Sequence, residues 1–205
     1  MIKRTTLVLL TLAGLAAIVV LSRTAWFDYR ALQVAERTAA KTQVEAMMGD
    51  ATISLSLERS ITQLGLGLVE PLSPDLRAML DGQREHVDGL FAEVLATAEG
   101  HGAAVGNRFP TALRAELSKI EVLRTQADSE LAVGKGDRTP GVPKTLPDTF
   151  KRTIIATQGV VGQLLEPGIV VPSDIARSLT MQRHAWAIRE YGGRERTYMA
   201  IATAT

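Results

Sequence analysis

The chain has 205 residues, of which 46% are hydrophobic and only 4% aromatic. Few aromatic residues argue against an aromatic-rich β-sandwich core and favour helices packed through aliphatic side chains. Charge is balanced, with 23 Lys and Arg against 22 Asp and Glu, so bulk charge gives no electrostatic case for nucleic-acid binding. The absence of cysteine excludes a disulfide scaffold, a cysteine-ligated zinc site and a cysteine nucleophile.

The N-terminus contains an uncharged apolar segment, residues 5–22, between Arg4 and Arg23. A membrane span needs about 20 apolar residues and tolerates about 17. A cleaved signal peptide and an uncleaved anchor are both compatible with this pattern, but residues 22–27, SRTAWF, form a poor cleavage site. The sequence therefore predicts a transmembrane helix over 5–22.

Basic residues define the predicted orientation of this helix. Lys3 and Arg4 favour a cytoplasmic tail at residues 1–4, because basic residues remain on the cytoplasmic side of the inner membrane. Residues 23–205 are then predicted to form an extracytoplasmic domain in the bacterial periplasm.

The first helix of that domain is predicted over residues 25–68, which contain no proline. Residues on one face are apolar at helical spacing, namely Ile53, Leu57, Ile61, Leu64 and Leu68. Pro71 and Pro74 end this helix, and Ser73 is a predicted N-cap for a second helix reaching about residue 99.

The rest of the chain continues the helical pattern. Residues 99–107 are rich in glycine and predict a loop. A third helix is predicted over 109–131, a linker or long loop over 133–148, a fourth helix over 148–165 and a fifth from Ser173 onward. No segment alternates with the period of a strand. The prediction is an all-α fold, an antiparallel bundle of the four-helix type that could form part of a double bundle.

Catalytic signatures are missing from the sequence. There is no Gly-x-Ser-x-Gly motif, and GKGDRTPG at residues 134–141 lacks the spacing of a phosphate-binding loop. His86, His101 and His184 lack metal-binding spacing. We therefore expect no enzymatic activity, no metal and no cofactor.

Arg59, beside Glu58, lies close to the predicted apolar stripe of the first helix. A buried arginine costs several kcal/mol to desolvate unless it is paired. Three interpretations are open: pairing with Glu58 or another carboxylate, binding of an anionic ligand by the guanidinium fork, or exposure of both side chains to solvent.

A second Glu-Arg step occurs at Glu195 and Arg196, preceded by Arg194. Gly192 and Gly193, just before it, would allow a helix or a ligand to approach closely. The tripeptide by itself is not specific, since Glu-Arg-Thr also occurs at residues 36–38.

Two segments carry a family resemblance, LERSITQLGL at 57–66 and RHAWAIREYGGRERTYMA at 183–200. Together they resemble the periplasmic sensory region of bacterial methyl-accepting chemotaxis proteins, and the pattern is also similar to nitrate- and nitrite-sensing domains. The resemblance covers roughly residues 25–205. It implies an N-terminal anchor, successive or duplicated helical bundles, a second membrane helix, a cytoplasmic signalling region and a homodimer. It also implies ligand contacts at Arg59, Arg196 and Arg194.

The expected function is ligand sensing, for a small anion, by the extracytoplasmic part of a membrane-anchored chemoreceptor in signal transduction. The alternative is a membrane-anchored helical scaffold or accessory protein with no small-molecule ligand. Neither a second apolar span nor a signalling hairpin follows the last predicted helix, so we expect the sensory domain to be incomplete at its C-terminus.

Overall fold

The computed structural model describes residues 2–164 and residue 181, and within them it is all-helical, as predicted. No strand occurs among these residues. Residues 165–205, apart from 181, lie outside the described part of the chain, and with them lie the predicted fifth helix, Arg194 and Arg196. The helices are α1 (Ile2–Gly67), α2 (Pro74–Gly100), α3 (Arg108–Leu131) and α4 (Val142–Gly159), with 3₁₀ turns at Gly102–Ala104, Lys135–Asp137 and Val160–Leu164.

Two compact units divide the chain, Met1–Ala39 and the residues from Ala40 onward. In the first unit the side chains of residues 1–13 and 16 lie outside the described part, so the predicted span over 5–22 falls largely on undescribed side chains. Across the side chains that the structure does describe, no helix combines the length and the apolar character needed to cross a membrane.

The buried face of α1 differs from the predicted one. The predicted stripe was wrong at Leu57, which is 53% exposed. Ile61 is buried, and Ile53, Leu64 and Leu68 are half-buried. Both sets of positions satisfy helical spacing, but the packed face includes Glu58, which a search for apolar residues passes over. The residues of the buried face are Val44, Met48, Ala51, Leu55, Glu58, Thr62 and Leu66.

Helix α2 begins as predicted, with Ser73 accepting a hydrogen bond from the backbone N–H of Leu76 at 3.4 Å. Such a cap satisfies one of the N–H groups left unpaired at a helix start. Helices α1, α2, α3 and α4 contribute to one hydrophobic core. Its largest fully buried side chains are Phe109, Phe150, Met48, Leu55, Leu80, Leu113, Ile120, Leu131, Ile154 and Leu164.

The segment after α3, predicted as a linker or a long loop over 133–148, is a shorter connection between α3 and α4. It contains a 3₁₀ turn, and α4 begins at Val142, six residues before the predicted start. The proline-rich composition misled the prediction, because Pro143 lies in the first turn of α4, where proline fits a helix. Gly141 precedes it with a φ of 87°, a conformation that favours glycine.

Arg138 fixes this connection in place. It is 6% exposed. It donates to the carbonyl oxygen of Leu66, in the last turn of α1, at 2.6 Å and to that of Leu68, just after α1, at 3.0 Å. It also donates to the carbonyl oxygen of Glu130, near the end of α3, at 3.0 Å. Helix C-termini carry unpaired carbonyls and partial negative charge. One buried guanidinium therefore caps two helices at once.

Candidate functional site

Glu58 is the centre of a buried ion-pair network. Its carboxylate is 0% exposed, and burying an isolated carboxylate is prohibitively costly. Arg124 of α3 donates to both of its oxygens, from Nε to Oε1 at 2.8 Å and from Nη2 to Oε2 at 2.7 Å. Arg84 of α2 adds an ion pair between Nε and Oε1 at 3.4 Å. The bidentate Arg124 contact is the strong form of a carboxylate–guanidinium pair.

The network extends from Glu58 toward the surface through Arg124. The Nη1 group of Arg124 donates to Asp88 Oδ1 at 2.8 Å and to Glu121 Oε1 at 2.7 Å. These two carboxylates are 58% and 65% exposed, whereas Arg124 is 6% exposed. The guanidinium thus joins a core carboxylate to two carboxylates in solvent.

A second branch runs through Arg84. Its Nη1 group donates to both oxygens of Asp128 on α3, at 3.0 and 2.9 Å. Arg77 of α2 donates to the same carboxylate at 2.9 Å and pairs with Asp81 at 3.3 Å. The branch therefore links α2 to α3 through side chains that become more exposed from Arg84 to Asp128 and Arg77.

Carboxylates outnumber guanidiniums in these ion pairs. Five carboxylates, those of Glu58, Asp81, Asp88, Glu121 and Asp128, pair with the three guanidiniums of Arg77, Arg84 and Arg124. Desolvation by burial acts to lower the pKa of Arg124, but the hydrogen bond and charge of Glu58, followed by those of Asp88, outweigh it and raise that pKa. Arg124 is consequently a permanent cation.

A groove lies between α2 and α3 at the outer side of Arg124. It has a volume of about 200 Å³. Its walls and floor are apolar along most of its length, whereas Asp88, Glu121 and Arg124 also line it. The lining residues are Val87, Asp88, Phe91, Ala92, Leu95, Leu117, Ile120, Glu121 and Arg124.

The predicted ligand residues are only partly within the described chain. Arg59 is 6% exposed and Glu58 is fully buried, so the interpretation that both face solvent was wrong. Glu58 pairs with Arg84 of α2 and Arg124 of α3, and the carboxylate-pairing and anion-binding interpretations of Arg59 both stay predictions. Arg194 and Arg196 lie outside the described residues, so the joint role of Arg59, Arg194 and Arg196 stays a prediction.

Sequence reasoning missed the partners of Glu58. The available signal was a charge on an apolar face: Arg124 directly follows Leu123 on the α3 stripe, and Arg84 lies between Leu80 and Val87 on the buried side of α2. A charged residue at such a position needs a buried counter-charge. That requirement predicts a partner but not which helix supplies it.

Comparison with known proteins gives no family. No protein-family model matches the chain, and neither a curated protein nor a solved structure matches it significantly.

Within residues 2–164 and at 181, no group of three histidine, aspartate or glutamate side chains is arranged to hold a metal ion.

Proposed function

We propose that the chain is the ligand-sensing, extracytoplasmic part of a membrane-anchored sensor of the chemoreceptor type, acting in signal transduction at the bacterial inner membrane. In this proposal the helices form an antiparallel four-helix bundle, and the protein acts as a homodimer. Residues 5–22 are its transmembrane helix, with residues 1–4 in the cytoplasm.

The observation that carries the proposal is the Glu58 network, which ties α1 to both α2 and α3. Replacing a buried ion pair by apolar residues is often neutral or stabilising, whereas removing one partner costs about 3–5 kcal/mol. A buried network is therefore weak evidence for stability alone. Its best-attested use is to specify one packing register over another, which is what a two-state sensor requires.

The proposed mechanism is an equilibrium between two packing registers of α1. A ligand stabilises one register of α1 against α2 and α3, and it shifts the populations only by its difference in affinity for the two registers. The predicted anchor and Glu58 both lie on α1. A change of register at Glu58 is then passed to the membrane by the helix itself.

Aromatic and basic side chains just after the predicted span support the anchor. Trp26, Phe27 and Tyr29 are each more than half exposed. The guanidinium of Arg30 lies 4.9 Å from the Trp26 ring centre, and that of Arg23 lies 5.6 Å from the Phe27 ring centre. Aromatic rings with basic neighbours are typical of the membrane–water interface.

The proposed ligand is a small anion bound by Arg59 with Arg196 and Arg194. Guanidinium groups suit it because their planar fork matches nitrate, nitrite or a carboxylate. The test is calorimetric titration of the full chain in nanodiscs with nitrate, nitrite and acetate. Arg59→Lys and Arg196→Ala should abolish binding, while the exposed control Arg152→Ala should retain it. Binding that survives both changes would refute the site.

The alternative, a helical scaffold without a small ligand, is favoured by one specific contact. A scaffold of this kind has its arginines in internal ion pairs, and Arg124 makes such a pair with both oxygens of Glu58. Crosslinking and mass measurement of the full chain separate the two functions. A partner-dependent complex, together with no thermal stabilisation by any of the three anions, would establish the scaffold.

A further inference from the structure

The groove between α2 and α3 combines an apolar body with a charged end. Phe91 and Ile120, each 2% exposed, form part of its lining, and Leu95 and Leu117 are half-buried beside them. The volume of about 200 Å³ is below the range of drug-sized pockets. Only a small ligand fits, and most of its surface would contact hydrocarbon.

The charged end of the groove has an excess of negative charge. Asp88 approaches from α2 and Glu121 from α3, and both bond to the same nitrogen, Nη1 of Arg124. The remaining face of that guanidinium is neutralised by Glu58. Three carboxylates therefore contact Arg124, and Arg84 also pairs with one of them, Glu58. The two outer carboxylates, those of Asp88 and Glu121, are 58% and 65% exposed.

We propose that this groove binds a small organic cation, a primary amine carried on a short aliphatic or aryl body. The apolar body lies along Phe91 and Ile120. The ammonium group lies between the carboxylates of Asp88 and Glu121, where three N–H donors meet acceptor oxygens on both sides. Charge complementarity selects amines over anions of the same shape.

This site is separate from the proposed anion site at Arg59. Its lining comes from α2 and α3 alone. A ligand bridging Asp88 and Glu121 would draw them from Arg124, and this would change the partners of the guanidinium that holds Glu58. The amine would thereby contact the outer carboxylates of the Glu58 network, one ion pair away from the Glu58–Arg124 contact between α1 and α3.

The test compares three probes of one shape on the full chain: benzylamine, benzyl alcohol and benzoate, followed by ligand-observed NMR. Benzylamine is expected to bind with a Kd in about the millimolar range, because a ligand with so few non-hydrogen atoms makes few contacts. Its binding should weaken as salt is raised, because exposed charges are screened. Equal binding of benzyl alcohol or benzoate, or no binding of the amine, would overturn the proposal.

Variants localise the site. Asp88→Asn and Glu121→Gln should each weaken benzylamine about 2–5-fold, the size of an exposed ion pair. Glu93→Gln, an exposed carboxylate on α2 outside the groove, is the matched control and should change nothing. Ala92→Phe, at an exposed position on the groove wall, should block it.

Far-ultraviolet circular dichroism of each variant checks that it is folded. Loss of benzylamine binding in a folded Ala92→Phe variant supports the groove, and retained binding refutes it. Should Ala92→Phe unfold, the two carboxylate variants decide, since both change exposed side chains. Arg59→Lys should leave amine binding unchanged, so this proposal and the anion proposal fail separately.

Discussion

Arg138 offers the sharpest test of how the bundle is held together. Its guanidinium makes two short buried hydrogen bonds, to the carbonyl oxygens of Leu66 at 2.6 Å and Glu130 at 3.0 Å. Arg138→Ala leaves both acceptors without their donor, and a buried unsatisfied polar group costs about 1–3 kcal/mol. We therefore expect a loss of about 2–6 kcal/mol in the free energy of unfolding from these two bonds.

The loss is large compared with the stability of a domain, which is about 5–15 kcal/mol. For a chain of this size each kcal/mol lowers Tm by about 2–4 °C. A loss of 4 kcal/mol, near the middle of the range, would lower Tm by about 8–16 °C. Thermal and urea unfolding followed by circular dichroism would measure both quantities.

Two further variants make the test specific. Arg138→Lys retains the charge, but a single ammonium cannot reproduce the fork that reaches two helix ends, so its stability should lie between those of wild type and Arg138→Ala. Arg152→Ala removes an exposed arginine whose side-chain bond is to Thr149 and should stay within about 0.5 kcal/mol of wild type. An Arg138→Ala variant as stable as Arg152→Ala would refute the reasoning.

Three other substitutions test the packing of α1 and the start of α2, each by urea unfolding. Leu55→Ala should lower the free energy of unfolding by about 2–5 kcal/mol, because Leu55 is 0% exposed. Leu57→Ala should change it by no more than about 0.5 kcal/mol, because Leu57 is 53% exposed. A larger loss for Leu57→Ala than for Leu55→Ala would support the predicted stripe. Gly65→Ala should destabilise the protein by about 1–3 kcal/mol, since the new Cβ would lie 2.7 Å from Leu131 Cδ2. A gain in stability would show that the Leu131 side chain moves aside at little cost. Ser73→Ala should cost about 0.5–1 kcal/mol, at the lower end for an N-cap because its bond is 3.4 Å long; no change would show that the cap is not formed.

The helices of this protein follow from local sequence signals. Proline at 71 and 74 ends one helix and opens the next, Ser73 caps it, and α3 was predicted within one residue of its observed start. These signals act over a few residues, so a single sequence contains them. The all-α class was predictable for the same reason.

The orientation of each helix and the connections were harder to predict. The face of α1 that is buried depends on where α2, α3 and α4 pack, and two faces with helical spacing compete for that role. The connection after α3 was misjudged because its order depends on Arg138, whose partners lie as far away as Gly65 and Leu66. Contacts over such separations leave no local pattern.

The sequence predicted part of the candidate site. Glu58 and Arg59 were singled out, and both are buried. The sequence left the partner of Arg59 open, with Glu58 as one candidate, and it gave no sign that Glu58 bonds to Arg124, 66 positions away. Adjacent helical residues point in different directions, and Glu58 therefore reaches guanidiniums on α2 and α3.

The Glu58–Arg124 pair also constrains how this sequence can evolve. Losing either residue first leaves an unpaired charge in the core, and that step costs about 3–5 kcal/mol even if the apolar pair beyond it is as stable. Two changes must therefore arrive nearly together. Among descendants of this sequence, both residues should persist or both should disappear, while the exposed Asp88 and Glu121 vary one at a time.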